Sequence, residues 1–480
     1  MLRALLPALV WRVFLASADQ IPFAAESPDL KNSDSTAPFI FNGLSSLLTQ
    51  WSNTVHGTGR HSIVPGVLQP FTLLYHARED ALLPPSPEWL AWDVEMSYGI
   101  MVPRGGQTHL LTYRTTRPAN VLYFDGMSAA WGPGWLDSQH MFIFGTSANA
   151  SKNIAWWDDY GRAEQLCDWA KTREIEGFVR MNAGFEIVWC DFQSPILQLV
   201  SHLNITPPGT PESSPLPRFP QDLPERPPWR EPGDGDGAPP ERKFGRDGPG
   251  RWRRRMSDLA LTSTLEWVRA ASRRSFSPQP HLALLYSGLV TYYHPRLTSL
   301  VPDRVGRPMH AHRLANISSQ DAMSVVKEVD EVLARVAVGD YGSNMDWGTT
   351  ARDIVEYWGD RISQMHAYLL HASEPSVNVT IALPAIRTLS YTLLNPYMQP
   401  GLTPNASAWD LFFGAPSNVF GFDTTTAFAR CTYQATGFLS QLHATRLTPQ
   451  ETLLRTSIES ILGQLCNDVR LIHSSLTVFA

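Results

Sequence analysis

The sequence predicts an α+β protein: a mixed or antiparallel sheet domain in the N-terminal half, a disordered Pro/Gly-rich insert, and a mainly helical C-terminal half. Three observations carry this reading. Short β-rich runs alternate with turn residues up to about residue 206. Residues 207–250 hold 13 of the 38 prolines and seven glycines, leaving few side chains to bury. Beyond them, apolar residues recur at three- and four-residue spacing, the mark of amphipathic helices. Hydrophobic residues at 43% and charged residues at 18% exclude a wholly disordered chain. A formal charge of -6 excludes the basic balance that draws nucleic acid or an anionic membrane.

Met1-Leu2-Arg3, the apolar run from Ala4 to Leu15 and the small residues Ala16-Ser17-Ala18 read as a signal peptide over 1–18. Pro7 and Arg12 interrupt the run, so an amphipathic helix is the alternative. The run falls short of the about 18 to 20 apolar residues that cross a bilayer, and no integral membrane span is expected. A flexible segment is expected over 19–49 and the sheet domain over 50–206. Its strands are expected at 72–76, 109–114, 120–124, 141–144, 177–181 and 185–189. One helix over 158–171 is expected among them, with Leu166, Trp169 and Ala170 on one face.

The insert over 207–256 ends in Arg251-Trp252-Arg253-Arg254-Arg255, which reads as a solvated charge run, with an anionic surface or a processing protease as alternatives. The mainly helical region spans 257–480, after one further strand at 282–293. Ser318 or Ser319 caps a helix whose buried face is Ala322, Val325, Val326, Val329, Val332, Leu333 and Val336. Helices follow over 353–371 and 379–394, the second containing Pro384. Thr448-Pro449-Gln450-Glu451 is a capping box that opens a long final helix with Leu454, Ile458, Ile461, Leu465, Val469 and Ile472 on one stripe.

Asn-x-Ser/Thr sequons occur at Asn149, Asn204, Asn316, Asn378 and Asn405, where the 15 asparagines predict roughly two by chance. This excess and the N-terminal segment point to the secretory route. Cys167, Cys190, Cys431 and Cys466 lack the CxxC spacing of zinc or thioredoxin sites. Three pairings are open; Cys167 with Cys190 and Cys431 with Cys466 is preferred because each pair then stays within one half of the chain. Four buried thiols are the alternative.

Several constellations carry possible chemistry. Thr72-Leu73-Leu74-Tyr75-His76-Ala77-Arg78 is a strand that presents a histidine; Tyr98 follows, and Glu186 begins the apolar strand Glu186-Ile187-Val188-Trp189-Cys190. This order resembles the His-Tyr-Glu pattern of the ADP-ribosyltransferase fold over residues 72–190, although Ala77 stands where that family has glycine. The resemblance implies NAD as substrate, with His76 holding the ribose and Tyr98 stacking on nicotinamide. Glu186 would stabilise the cation that forms as nicotinamide leaves. The plain alternative is a sheet histidine, a packed tyrosine and a strand-edge carboxylate.

Asp125-Gly126-Met127-Ser128-Ala129-Ala130 resembles the nucleophile elbow of α/β hydrolases, with Ser128 as nucleophile and His56-Gly57-Thr58-Gly59 upstream; an Asp-Gly turn explains the same letters. The loop His56-Gly57-Thr58-Gly59-Arg60-His61 also suits an anion, with Arg60 as a bidentate donor, or is a plain turn. His310-Ala311-His312 has no carboxylate pair nearby and reads as loop rather than metal site. A third class of function needs no chemistry: a glycosylated extracellular interaction protein, marked by an exposed apolar patch without convergent polar groups.

The blocks His56-Gly57-Thr58-Gly59-Arg60-His61-Ser62, Pro87-Glu88-Trp89, Tyr123-Phe124-Asp125-Gly126 and Gly177-Phe178-Val179-Arg180-Met181 resemble a family of uncharacterised fungal proteins. That resemblance runs from about residue 50 to the C-terminus. It implies a fungal origin and an extracellular or endomembrane location, and it names no reaction.

Overall fold

The computed structural model describes residues 36–49, 61–102, 106–129, 134–145, 158–182, 184–208, 265–271, 278, 281–373, 379–398, 427–440 and 447–477. The signal-peptide reading over 1–18 and nearly all of the insert expected over 207–256 fall outside these residues. The fold is α+β, built on one curled, ten-stranded mixed sheet.

The strands are β1 (Ser62–Leu68), β2 (Leu73–Arg78), β3 (Glu88–Ala91), β4 (His109–Thr115), β5 (Ala119–Phe124), β6 (Gly177–Met181), β7 (Phe185–Trp189), β8 (Leu197–Asn204), β9 (Leu282–Leu284) and β10 (Val290–Thr291). Their order is β10-β1-β5-β6-β7-β3-β2-β4-β8, with β9 also paired to β1. All pairs are antiparallel except β5 with β6. That parallel pair needs a crossover, supplied by α3 (Asp137–Phe144) and α4 (Asp159–Ala170). β6 and β7 approach closely at Gly177, where a Cβ would lie 2.5 Å from the Val188 carbonyl oxygen.

Strands in the middle of the sheet are buried on both faces because their alternate side chains feed two cores. Leu122, Phe124, Phe178 and Val188 pack with α3, α4 and α5 (Ser319–Ala337). Val121, Tyr123, Val179 and Ile187 pack on the opposite side with α1 (Ala37–Ser45), α6 (Trp347–Ser373), α7 (Val379–Leu394) and α9 (Pro449–Thr477). Two shorter helices complete the set, α2 (Val94–Met101) against β2 and α8 (Ala427–Thr432) against α9. The C-terminal helices therefore share a core with the sheet.

Local chemistry explains the element ends. Ser318 caps α5, its Oγ accepting from Asp321 N–H at 3.1 Å. At α9 the capping box closes reciprocally: Glu451 N–H donates to Thr448 Oγ1 at 3.1 Å, and Thr448 N–H donates to Glu451 Oε2 at 2.9 Å. Three expectations are corrected. The apolar run at 141–144 is the last turn of α3, because Gly145 at φ 62° closes a helix there and its N–H bonds the Met141 carbonyl. The strand expected at 282–293 is broken into β9 and β10 by a 3-10 turn at Tyr286–Gly288. Within the segment expected to be flexible over 19–49, residues 37–45 form α1, which buries Ile40 and Leu44.

Candidate functional site

Strand alternation decides the fate of the His-Tyr-Glu reading. One row of the sheet runs Tyr75, Ala91, Glu186, Arg180 across β2, β3, β7 and β6, and residues in a row share a face. Glu186 thus lies on the α3/α4/α5 side. His76, next to Tyr75, lies on the other side, its ring 6.4 Å from that of Phe192. Its Nδ1–H donates to the Trp89 carbonyl at 2.7 Å, and burial pushes its pKa down to about 4, so the ring is neutral. Tyr98 sits on α2, its phenol pushed up by partial burial and then by Glu95 and Glu266. The sheet itself separates His76 from Glu186, so the three do not meet around one nicotinamide-sized ligand. This corrects the expected ADP-ribosyltransferase site.

Glu186 is instead part of a buried charge network. Arg180, fully buried, donates to Glu186 Oε1 at 2.5 Å, to both Asp159 oxygens at 3.2 and 3.3 Å, and to Gln139 Oε1 at 3.2 Å. Arg162, also fully buried, pairs with Asp159 and reaches His140 Nε2 at 3.1 Å. Burial raises the Glu186 carboxyl against the pull of Arg180. Burial alone would lower Arg180, but Asp159 and Glu186 more than reverse that and raise it. Asp159 is held low: the two arginines outweigh its burial. Two cations face two carboxylates, and each bond is made to a neighbour in the network.

The other sequence candidates are likewise enclosed or unseen. Ser128 is fully buried, and its Oγ–H donates to the Phe124 carbonyl at 2.7 Å. A nucleophile must be reachable, so the hydrolase elbow is not formed; Gly126 at φ 76° makes the letters an ordinary turn. Arg60 and the loop before it lie outside the described residues. His312 is buried, its Nδ1 3.1 Å from the Tyr293 hydroxyl and its Nε2 3.1 Å from the Arg307 carbonyl. Among the described residues no group of three or more His, Cys, Asp or Glu is arranged to hold a metal.

One surface feature among the described residues is a groove of about 500 Å³ where β4 and β8 meet the loops at 83–84 and 192–195. Tyr113, Phe192, Leu83, Leu197, Leu199 and Gln198 line it. Tyr113 and Phe192 stand edge to face at 5.4 Å, and burial pushes the Tyr113 hydroxyl up to about 12, so it is a neutral donor. Among the described residues no charged side chain lines the groove, and the Arg114 Nε–H donates to Oε1 of the lining Gln198 at 2.9 Å. Leu83 of the lining is 57% exposed, and its neighbour Leu82 66%. β8 is the last strand of the sheet and its sequence, LQLVSHLN, has no acidic, lysine or arginine residue. Sequence reasoning missed this site; the signal available was that uncharged run just ahead of the prolines.

Disulfides join Cys167 to Cys190 and Cys431 to Cys466, the preferred pairing. The first ties α4 to the end of β7, the second α8 to α9. Of the sequons, Asn204 and Asn316 are exposed, and Asn149, Asn378 and Asn405 lie outside the described residues. No helix among the described residues is long and apolar enough to cross a membrane.

These features define a class: an α+β protein with helices on both faces of a mixed sheet, charge sealed inside and an uncharged groove at one sheet edge. The chain belongs to the YPL277C N-terminal domain family, whose model matches residues 99–338, half of its length. It is similar to two Saccharomyces cerevisiae proteins, both titled as uncharacterized. YOR389W is 31% identical over 229 residues, covering 38% of this chain and 35% of that protein. YPL277C is 30% identical over 230 residues, covering 38% of this chain and 45% of that protein. The match thus spans less than half of either relative. No solved structure matches the chain.

Proposed function

We propose that the protein is a secreted, glycosylated, non-catalytic binding protein that holds an extended, uncharged, proline-containing peptide of a partner in the Tyr113–Phe192 groove. The groove's chemistry carries the reading. Perpendicular aromatic rings and prolines match the flat faces of proline rings, and an unionised phenol with a glutamine amide matches peptide carbonyls. The lack of charge in the lining suits a partner without charge. Two disulfides and five sequons support passage through an oxidising, glycosylating compartment.

The test is fluorescence anisotropy with a labelled deca-proline probe. The native protein binds it with a Kd on the order of 10 to 100 µM, a range suited to a small, preformed groove. Tyr113→Phe, which removes only the hydroxyl, weakens binding about 5-fold, the cost of one hydrogen bond. Leu199→Glu abolishes it. Absence of binding by the native protein, or equal binding by Leu199→Glu, overturns the reading.

A further inference from the structure

An exposed edge strand presents a row of unpaired backbone N–H and C=O groups, and proteins ordinarily blunt it with lysine, proline, an inward charge or a short length. β8 has eight residues and none of those side chains. Its one irregularity is a bulge opposite Thr112 and Tyr113. Val200, at that bulge, is 53% exposed, and Leu199 and Leu203 flank it in the open. In an antiparallel pairing about a two-fold axis, the same strand of a second copy meets no like charge anywhere along its length.

Asn204 is the last residue of this strand, paired with His109 of β4. Its Oδ1 accepts from the Thr206 N–H at 3.0 Å and from the Thr206 hydroxyl at 2.6 Å. The Thr206 Oγ1 in turn accepts the Thr108 N–H at 2.9 Å. The carboxamide of this exposed residue is anchored by its oxygen. Asn316, the other described sequon, commits its Nδ2 to Asp303 at 2.8 Å.

We infer that Asn204 carries an N-linked glycan and that this glycan keeps the β8 edge from pairing with a second copy of the chain. The inference rests on the secretory reading above. The modification joins Asn204 Nδ2 to the anomeric carbon of an oligosaccharide carried on a lipid pyrophosphate. The new C–N bond forms as the anomeric C–O bond breaks; the lipid pyrophosphate leaves with the bonding pair, and Nδ2 loses one proton.

A second strand must come within about 4.8 Å of β8 to bond it, and a branched sugar at the strand's end is wider than that gap. A two-fold pairing has Asn204 at both ends, so each copy's glycan obstructs the other's first pairs. The groove is spared. Leu199 lies five residues back, about 16 Å along the strand.

The test uses the full chain secreted from a eukaryotic host, with intact and peptide mass measured before and after peptide-N-glycosidase, and light scattering at about 50 µM. The native protein carries a glycan at Asn204 and scatters as a monomer. Asn204→Gln loses that glycan and scatters at twice the mass; peptide-N-glycosidase, which leaves an aspartate at position 204, serves only to mark the occupied site by its mass. Adding Val200→Lys to Asn204→Gln restores the monomer. A bare Asn204 in a chain whose other sequons carry sugar overturns this inference alone, as does an Asn204→Gln protein that stays monomeric. A secreted chain with no sugar at any sequon overturns the glycosylated part of the proposed function with it.

Discussion

Arg180 and Val200 mark two opposite ways of using one sheet. Around Arg180, in the middle, the charged groups are turned on one another: Glu186 on Arg180, Arg180 on Asp159, Asp159 on Arg162. Around Val200, at the edge, the strand carries no acidic, lysine or arginine side chain, and among the described residues its backbone has one partner strand. Concentrated charge here signals a closed structural node, and the plain-looking strand is the open surface. Residue type alone ranks the two regions in the wrong order, because reactivity depends on access and on unsatisfied bonding capacity.

The comparison breaks first, and hardest, at Arg180. Arg180→Met leaves Glu186 buried without its cation, while Asp159, its side chain 22% exposed, keeps Arg162, so unfolding in urea should show a loss of about 3 kcal/mol. Arg180→Met combined with Glu186→Gln should recover part of it, since one uncompensated charge is gone. A loss below about 1 kcal/mol would mean that water reaches the network and that the node is open after all. For the same reason nicotinamide release from NAD should be absent in the native protein and in Glu186→Gln alike; release by the native protein alone would return Glu186 to catalysis.

Acid gives the next largest effect. His61, His76 and His140 are each pushed from 6.5 to about 4, mainly by burial. The unfolded chain takes up these protons near pH 6.5 and the folded chain only near 4, so their contribution is whole above 6.5 and is lost as pH falls toward 4. Glu186, raised in the fold, works the other way: its contribution is present at low pH and is lost as pH rises through its folded value. The lowered His294, His366 and His473 act with these three rings and the raised Glu88 and Glu176 act with Glu186, so Tm should fall from pH 6.5 to 4 and His76→Gln should make the slope shallower. A flat profile over that window would show the rings to be solvated. The smallest effect on stability belongs to the edge: Leu199→Glu should shift the unfolding free energy by no more than about 0.5 kcal/mol, although it abolishes groove binding.

Much of the architecture was legible in the sequence where local signals and burial agree. The strands at 177–181 and 185–189 and the capping box at Thr448–Glu451 are found where their patterns place them. The run Met141-Phe142-Ile143-Phe144 was misread as a strand because four apolar residues fit either period, and the cap at Gly145 decides. β1 and β8 went unread: Pro65 and Gly66 hide the first, and the second lacks alternation because both its faces are open. The candidate site was less legible still. Whether His76 and Glu186 share a face depends on the register of β2, β3 and β7, which no local pattern encodes.

Helix α1, near the start of the described chain, lies against α6 and α9, and Ile40 and Leu44 share a core with Ile458, Ile461 and Ile472. Synthesis runs from the N-terminus, so the ribosome releases one half of this contact hundreds of residues before the other exists. Through that interval the apolar stripe of α1 has no native neighbour on α9, and chaperones that hold exposed apolar segments become its temporary company. A stop codon ahead of residue 449 would make that interval permanent, leaving a chain with one open side and marking it for degradation.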